Sequence, residues 1–208
     1  MRQDIYFLSE RLKLEGVLYA PEKEGKFPAA IVLHPHPQFG GSMHNNVVDA
    51  VCEELEKSMV ALKFNCRGVG RSEGYSTGGK EEGKDVEAAI EFLKIQDLVD
   101  EKRLAFIGYS WGTYAGLPVT YKNPDIKVIV GISCPVGLWN YNYMQECDKP
   151  KLMIVGTRDQ FAPLERFKNL FEKLSDPKEL YLLETDHFYI GAENKLASKV
   201  LEFLGKYL

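Results

Sequence analysis

The sequence is short of the features that mark several protein classes. It has four cysteines in 208 residues, Cys52, Cys66, Cys134 and Cys147, and none stands in a CxxC pair. That spacing argues against a structural zinc framework and suggests reduced thiols in a cytoplasmic protein, with a Cys134–Cys147 bridge left open. No apolar run approaches the ~18 residues of a membrane span. The opening "MRQDIYFLSERLKLEG" is charged within four residues and lacks the apolar core of a secretory leader. There is no block of basic residues; 26 Lys and Arg stand against 30 Asp and Glu, a formal charge of −4, which disfavours a nucleic-acid partner. Low-complexity tracts, internal repeats and a domain linker are also missing, so residues 1–208 read as one domain.

What is present is an alternation. Short apolar runs such as "PAAIVLH", "MVALKF", "RLAFIGY", "IKVIVGIS" and "PKLMIVGT" have the look of strands buried on both faces. Between them, "NNVVDAVCEELEKS", "EEGKDVEAAIEFLKIQ", "WGTYAGLPVTYK", "PLERFKNLFEKL" and "NKLASKVLEFLGKYL" carry helical patterning. The pattern predicts an α/β architecture: a mostly parallel sheet of about eight strands with helices on both faces. Ser42 is expected to cap the first helix, and Pro118 to kink or shorten the third. In such sheets functional loops gather at the carboxyl ends of the strands.

"GYSWG", Gly108 to Gly112, is a G-x-S-x-G string between a strand pattern and a helix pattern. That setting suits a tight turn lifting Ser110 above the sheet, with small residues needed on either side for clearance. Ser110 is the candidate nucleophile; the bland alternative is an ordinary glycine-rich turn. A serine hydroxyl needs a base, and His187, in the loop "ETDHFYIG" after the last strand, is the candidate. Asp159, in "GTRDQFAP", is the candidate acid that orients it, although an Asp there also suits a helix cap. Asp186 competes, but neighbours on extended chain point apart.

The stretch "LHPHPQFGGSMHNN" holds three of the four histidines. A metal reading of His34, His36 and His44 lacks a nearby carboxylate or thiolate before Asp49, so no metal is expected. The prolines stiffen the loop and donate no N–H. The backbone N–H of His36, or of Gln38 or Phe39 beyond it, is then a candidate oxyanion donor beside that of Trp111.

"LHPHPQFGGSMHNNVV", "FNCRGVGRSEG", "GYSWG", "GTRDQFAP" and "DHFYIG" together resemble the α/β-hydrolase superfamily. The resemblance is to small lid-less bacterial serine esterases related to dienelactone hydrolases, and it spans nearly the whole chain. It implies a Ser110–His187–Asp159 triad, oxyanion donors on Trp111 and His36, no cofactor, and a small-molecule ester as substrate. Asn65 departs from the family's usual Asp, and Arg67 beside it reads as structural. Only Pro135 to Pro150 is available where many hydrolases insert a lid, so an open site for small or short-acyl esters is expected. Leu138, Trp139 and Phe161 are candidate pocket residues; the apolar insert also suits a homodimer contact or a satellite of the core. A thioesterase, peptidase or acyltransferase would use the same triad. A non-catalytic binding protein on this fold is the reading from another class.

Overall fold

A computed structural model describes all residues, 1–208. Eight strands form one sheet: β1 (Arg2–Ser9), β2 (Leu12–Tyr19), β3 (Phe27–Leu33), β4 (Val60–Phe64), β5 (Val99–Tyr109), β6 (Ile126–Ile132), β7 (Lys151–Gly156) and β8 (Lys178–Leu183). Their spatial order is β1-β2-β4-β3-β5-β6-β7-β8. The first two strands pair antiparallel, as do β2 and β4, and every other neighbouring pair is parallel.

Five helices cover the sheet: α1 (Asn46–Leu55), α2 (Glu82–Lys94), α3 (Trp111–Thr120), α4 (Leu164–Lys173) and α5 (Glu193–Tyr207). Strand alternation divides the apolar residues between two cores. Ile31 and Leu33 of β3 point to the face where Val86 and Ile90 of α2, Leu117 of α3 and Phe167 of α4 are buried. Ala30 and Val32 point the other way, toward Val47, Val51 and Leu55 of α1 and Val200 and Phe203 of α5. Each such side chain, fully buried, is worth about 1.5–3 kcal/mol. Covered on both faces, the central strands need no polar alternation; β1 at the edge keeps it.

Two local expectations meet the structure differently. Ser42 does not cap α1. Asn45 does, its side chain accepting the Val47 N–H at 3.0 Å. The Met43 N–H is tied to Asn65 Oδ1 at 2.8 Å, which holds residues 42–44 in a loop, and Ser42 Oγ only accepts the His44 N–H. Pro118 does lie inside α3, and the helix ends two residues beyond it. All four cysteines are free and buried, so the Cys134–Cys147 bridge is not formed. No helix is long and apolar enough to cross a membrane.

Arg67 ties the edge hairpin to the body. Its guanidinium donates to Asp85 (2.8 Å) and Glu81 (3.0 Å), and its backbone N–H also reaches Asp85. Asp85 in turn accepts from Ser9 Oγ at 2.6 Å. Asn65, in the position of the usual Asp, donates to Glu15 at 2.7 Å while accepting from Met43. An Asp at 65 would face the Glu15 carboxylate with like charge, so the amide matches its partner here.

Candidate active site

Ser110 occupies the one-residue turn between β5 and α3 with φ 53° and ψ −122°, a conformation that costs a non-glycine residue about 1–3 kcal/mol. The flanking glycines make the turn sterically possible. A Cβ on Gly108 would lie 2.8 Å from the Thr113 nitrogen, and one on Gly112 would lie 2.6 Å from the Leu33 carbonyl oxygen. The Ser110 N–H is anchored to the Ile132 carbonyl of the neighbouring strand at 2.8 Å, and Thr113 Oγ1 donates to the Ser110 carbonyl at 2.6 Å. The serine is therefore held from both sides.

His187 and Asp159 arrive from two other strand ends. His187 Nε2 lies 2.8 Å from Ser110 Oγ, and its Nδ1 lies 2.9 Å from both oxygens of Asp159. All three are buried. Burial by itself would raise the Asp159 carboxyl, but bonds from His187, Ser133 and the Ala162 N–H outweigh it and hold the group below its ordinary value. An ionised carboxylate only accepts, so Nδ1 carries the proton and Nε2 is free to accept from the serine hydroxyl. Asp159 Oδ1 also accepts the N–H groups of Phe161 (2.9 Å) and Ala162 (2.8 Å), so the local turn role and the contact with His187 coexist. Asp186 instead bonds the Phe188 N–H at 3.0 Å.

The sequence reading missed the layer behind the acid. Ser133 Oγ donates to Asp159 Oδ2 at 2.6 Å and lies 2.7 Å from Tyr189 OH, which completes the chain by donating to the serine oxygen. Ser133 and Tyr189 both have positive φ, 48° and 59°. Tyr109 OH, next to the serine, donates to the His187 carbonyl at 2.7 Å. One signal was available: Ser133 ends the strand run "VIVGIS", the same strand-end position as the other site residues.

In the histidine loop, Pro37–Phe39 form a short 3₁₀ turn closed by Gly40 at φ 80°. The Gln38 N–H bonds the His36 ring at 3.2 Å and the Phe39 N–H bonds the His36 carbonyl at 3.1 Å. The His36 N–H has no acceptor in the protein. Trp111 opens α3, so its N–H has no intrahelical acceptor either. The structure therefore separates His36 from Gln38 as the N–H that remains unengaged.

A cavity of about 350 Å³ opens above the serine. Leu138, Trp139 and Phe161 all line it, together with Pro35, Phe39 and Phe188. The Trp139 ring stacks on Tyr114 at 4.5 Å, and Phe161 meets the His187 ring edge-on at 4.8 Å. The rest of the insert is divided: Tyr141 and Met144 are buried in the core, and Leu138 is exposed. No cluster of His, Cys, Asp and Glu has the arrangement of a metal site.

The pattern of the X-Pro dipeptidyl-peptidase family (S15), an α/β-hydrolase family, matches residues 11–147. The chain belongs to this family of α/β-hydrolases. A second pattern, that of a PhoPQ-activated pathogenicity-related protein, matches residues 95–207 of this hydrolase. Its fold is shared with a lid-less α/β serine hydrolase from Xanthomonas campestris: TM-score 0.86, 26% identity, 99% of this chain and 94% of that one. A protein of unknown function from Agrobacterium tumefaciens matches with TM-score 0.88 and 30% identity over 98% of this chain and 95% of that one. A thiohydrolase from Arthrinium phaeospermum is 31% identical over 152 residues, 72% of this chain and 47% of that protein. Like the Xanthomonas protein, this α/β-hydrolase has no lid domain; residues 133–150 bridge β6 and β7.

Proposed function

We propose that this α/β-hydrolase cleaves carboxylic esters of small or short-acyl substrates through a covalent acyl-serine. The observation that carries the reading is the continuous hydrogen-bonded path Ser110–His187–Asp159, at 2.8 and 2.9 Å. Ser110 Oγ attacks the carbonyl carbon while His187 Nε2 takes its proton, and Asp159 holds the imidazole and stabilises the imidazolium. The N–H groups of Trp111 and His36 receive the oxyanion; one such donor is typically worth about 3 kcal/mol. His187 then protonates the departing alcohol. The same ring activates water to release the acid.

The cavity supports an uncharged acyl group, since no lysine, arginine, aspartate or glutamate lines it. Its ~350 Å³ volume suits a compact ligand. Similarity to a thiohydrolase favours a thioester as the second reading. A panel of matched oxygen esters, thioesters and X-Pro amides separates these by kcat/KM. The nucleophile is tested by fluorophosphonate labelling and p-nitrophenyl acetate turnover. Wild type labels and turns over; Ser110→Ala does neither above background. Equal labelling of both proteins would overturn the assignment, and a folded wild type that neither labels nor hydrolyses any member of the panel would point to a binding protein.

A further inference from the structure

We propose that His34, buried behind the site and out of reach of substrate, is a positioning residue that aims the oxyanion-binding N–H of His36. The inference rests on the serine-hydrolase reading above and deepens it. His34 is fully buried, and each ring nitrogen has one partner: Nδ1 lies 2.7 Å from the Pro35 carbonyl oxygen, and Nε2 lies 3.2 Å from the Cys66 backbone nitrogen. A carbonyl oxygen only accepts and a backbone N–H only donates. Both contacts therefore require the same form of the ring, neutral with its proton on Nδ1.

The consequence follows from the planarity of one peptide unit. The Pro35 carbonyl and the His36 N–H belong to the same peptide group, and that bond is trans, the chain's only cis bond being Asp176–Pro177. In a trans unit the C=O and N–H vectors are opposed. Holding the carbonyl inward on His34 turns the His36 N–H outward, toward the cavity that Pro35 and His36 line above Ser110. Neighbouring groups restrict the same unit. Gly41 packs so closely that a Cβ there would sit 2.2 Å from the Pro35 oxygen, and its N–H bonds the His36 carbonyl at 3.0 Å. The Trp111 indole stacks on the His34 ring at 5.6 Å, linking the two oxyanion-binding segments through side chains as well. Cys66 sits on β4's loop, so the His34 ring is itself referenced to the sheet. A donor aimed before substrate arrives needs no reorganisation during reaction, which is where such a group gains its catalytic value.

Two substitutions divide the ring into its halves. Asn places an amide nitrogen directly on Cγ, where Nδ1 stands, and keeps the Pro35 bond. Gln places its terminal group one bond further, where Nε2 stands, and keeps only the Cys66 contact. The experiment measures kcat, KM and melting temperature on p-nitrophenyl acetate for wild type, His34→Asn and His34→Gln, with Ser110→Ala as the control that turnover is serine-dependent. The expected result is a 10- to 100-fold lower kcat for His34→Gln at unchanged KM, with His34→Asn recovering most of the loss. Equal loss in both variants, or a loss carried by KM, would overturn the positioning role. Should either variant fail to fold, the ¹⁵N shifts of the wild-type imidazole decide the matter. A neutral ring protonated at Nδ1 supports the proposal, and a proton on Nε2 or a charged ring at pH 7 refutes it. Ser110→Ala turning over normally would sink the hydrolase reading instead, a separate outcome.

Discussion

At the residue scale, the molecule keeps two histidines in opposite settings. His187 sits between a carboxylate and a hydroxyl. His34 sits in the interior with backbone partners only, and burial pushes its pKa down to about 4 despite the bond to the Pro35 carbonyl. An unfolded histidine takes up its proton near pH 6.5, whereas the folded chain resists until about 4. The unfolded state therefore binds more protons throughout that window, and stability falls as pH drops through it. The expected loss between pH 7 and pH 4 is about 3 kcal/mol from this residue. Urea unfolding at a series of pH values checks it: the wild-type midpoint falls toward acid, and His34→Asn removes this part of the slope. The functional candidates Ser110, His187 and Asp159 were legible because G-x-S-x-G and strand-end positions are local patterns. Tyr189 was not, and Ser133 offered only its strand-end position, because a serine and a tyrosine are chemically unremarkable until they lie 2.6–2.7 Å from their partners.

At the element scale, the helices and strands follow from periodicity, and their ends do not. Val47, Val51 and Leu55 recur at helical spacing, so α1 was readable as a helix. Its start depends on Asn65, nineteen positions beyond the helix's first residue, holding the Met43 N–H in the preceding loop. The two candidate caps are distinguished by mutation. Asn45→Ala removes the side-chain acceptor for Val47 and is expected to cost about 1 kcal/mol. Ser42→Ala removes only a long contact in the loop and is expected to change stability by less than about 0.5 kcal/mol. Denaturant midpoints of the two variants measured side by side test the assignment; a larger loss for Ser42→Ala would restore the capping role to that residue. The insert between β6 and β7 divides in the same way. Its aromatics were visible in sequence, but only packing sent Tyr141 to the core and Trp139 to the cavity wall.

At the scale of the whole molecule, the parallel sheet collects its strand-end loops on one edge, and that is what assembles the site. The antiparallel β1–β2 hairpin lies far along the sheet and is secured by Arg67, whose side chain is 4% exposed and is shared among Ser9, Glu81 and Asp85. Asp85 is completely buried, so removing it strands a cation without its main partner. Asp85→Ala is expected to lower stability by about 3–5 kcal/mol, read from chemical denaturation, because it leaves the buried Arg67 with only the exposed carboxylates of Glu81 and Glu10 and strips Ser9 Oγ and the Arg67 N–H of their acceptor. A loss below about 1 kcal/mol would mean the network is dispensable to the fold.

The amino-acid order alone determined the strand–helix alternation, the class of architecture and the three strand-end residues with the chemistry of a nucleophile, a base and an acid. These are local properties: hydrophobic period, backbone freedom at glycine and the donor or acceptor character of a side chain. The tertiary structure alone decided that Ser110 and His187, 77 positions apart, meet at 2.8 Å, and that Asp159 completes the row from 28 positions away. It also brought the His34 ring against the Cys66 N–H, 32 residues on, and left the His36 N–H without an acceptor while the Gln38 N–H is taken by the His36 ring. Contacts between distant segments depend on strand order and packing geometry, which no short window of sequence contains.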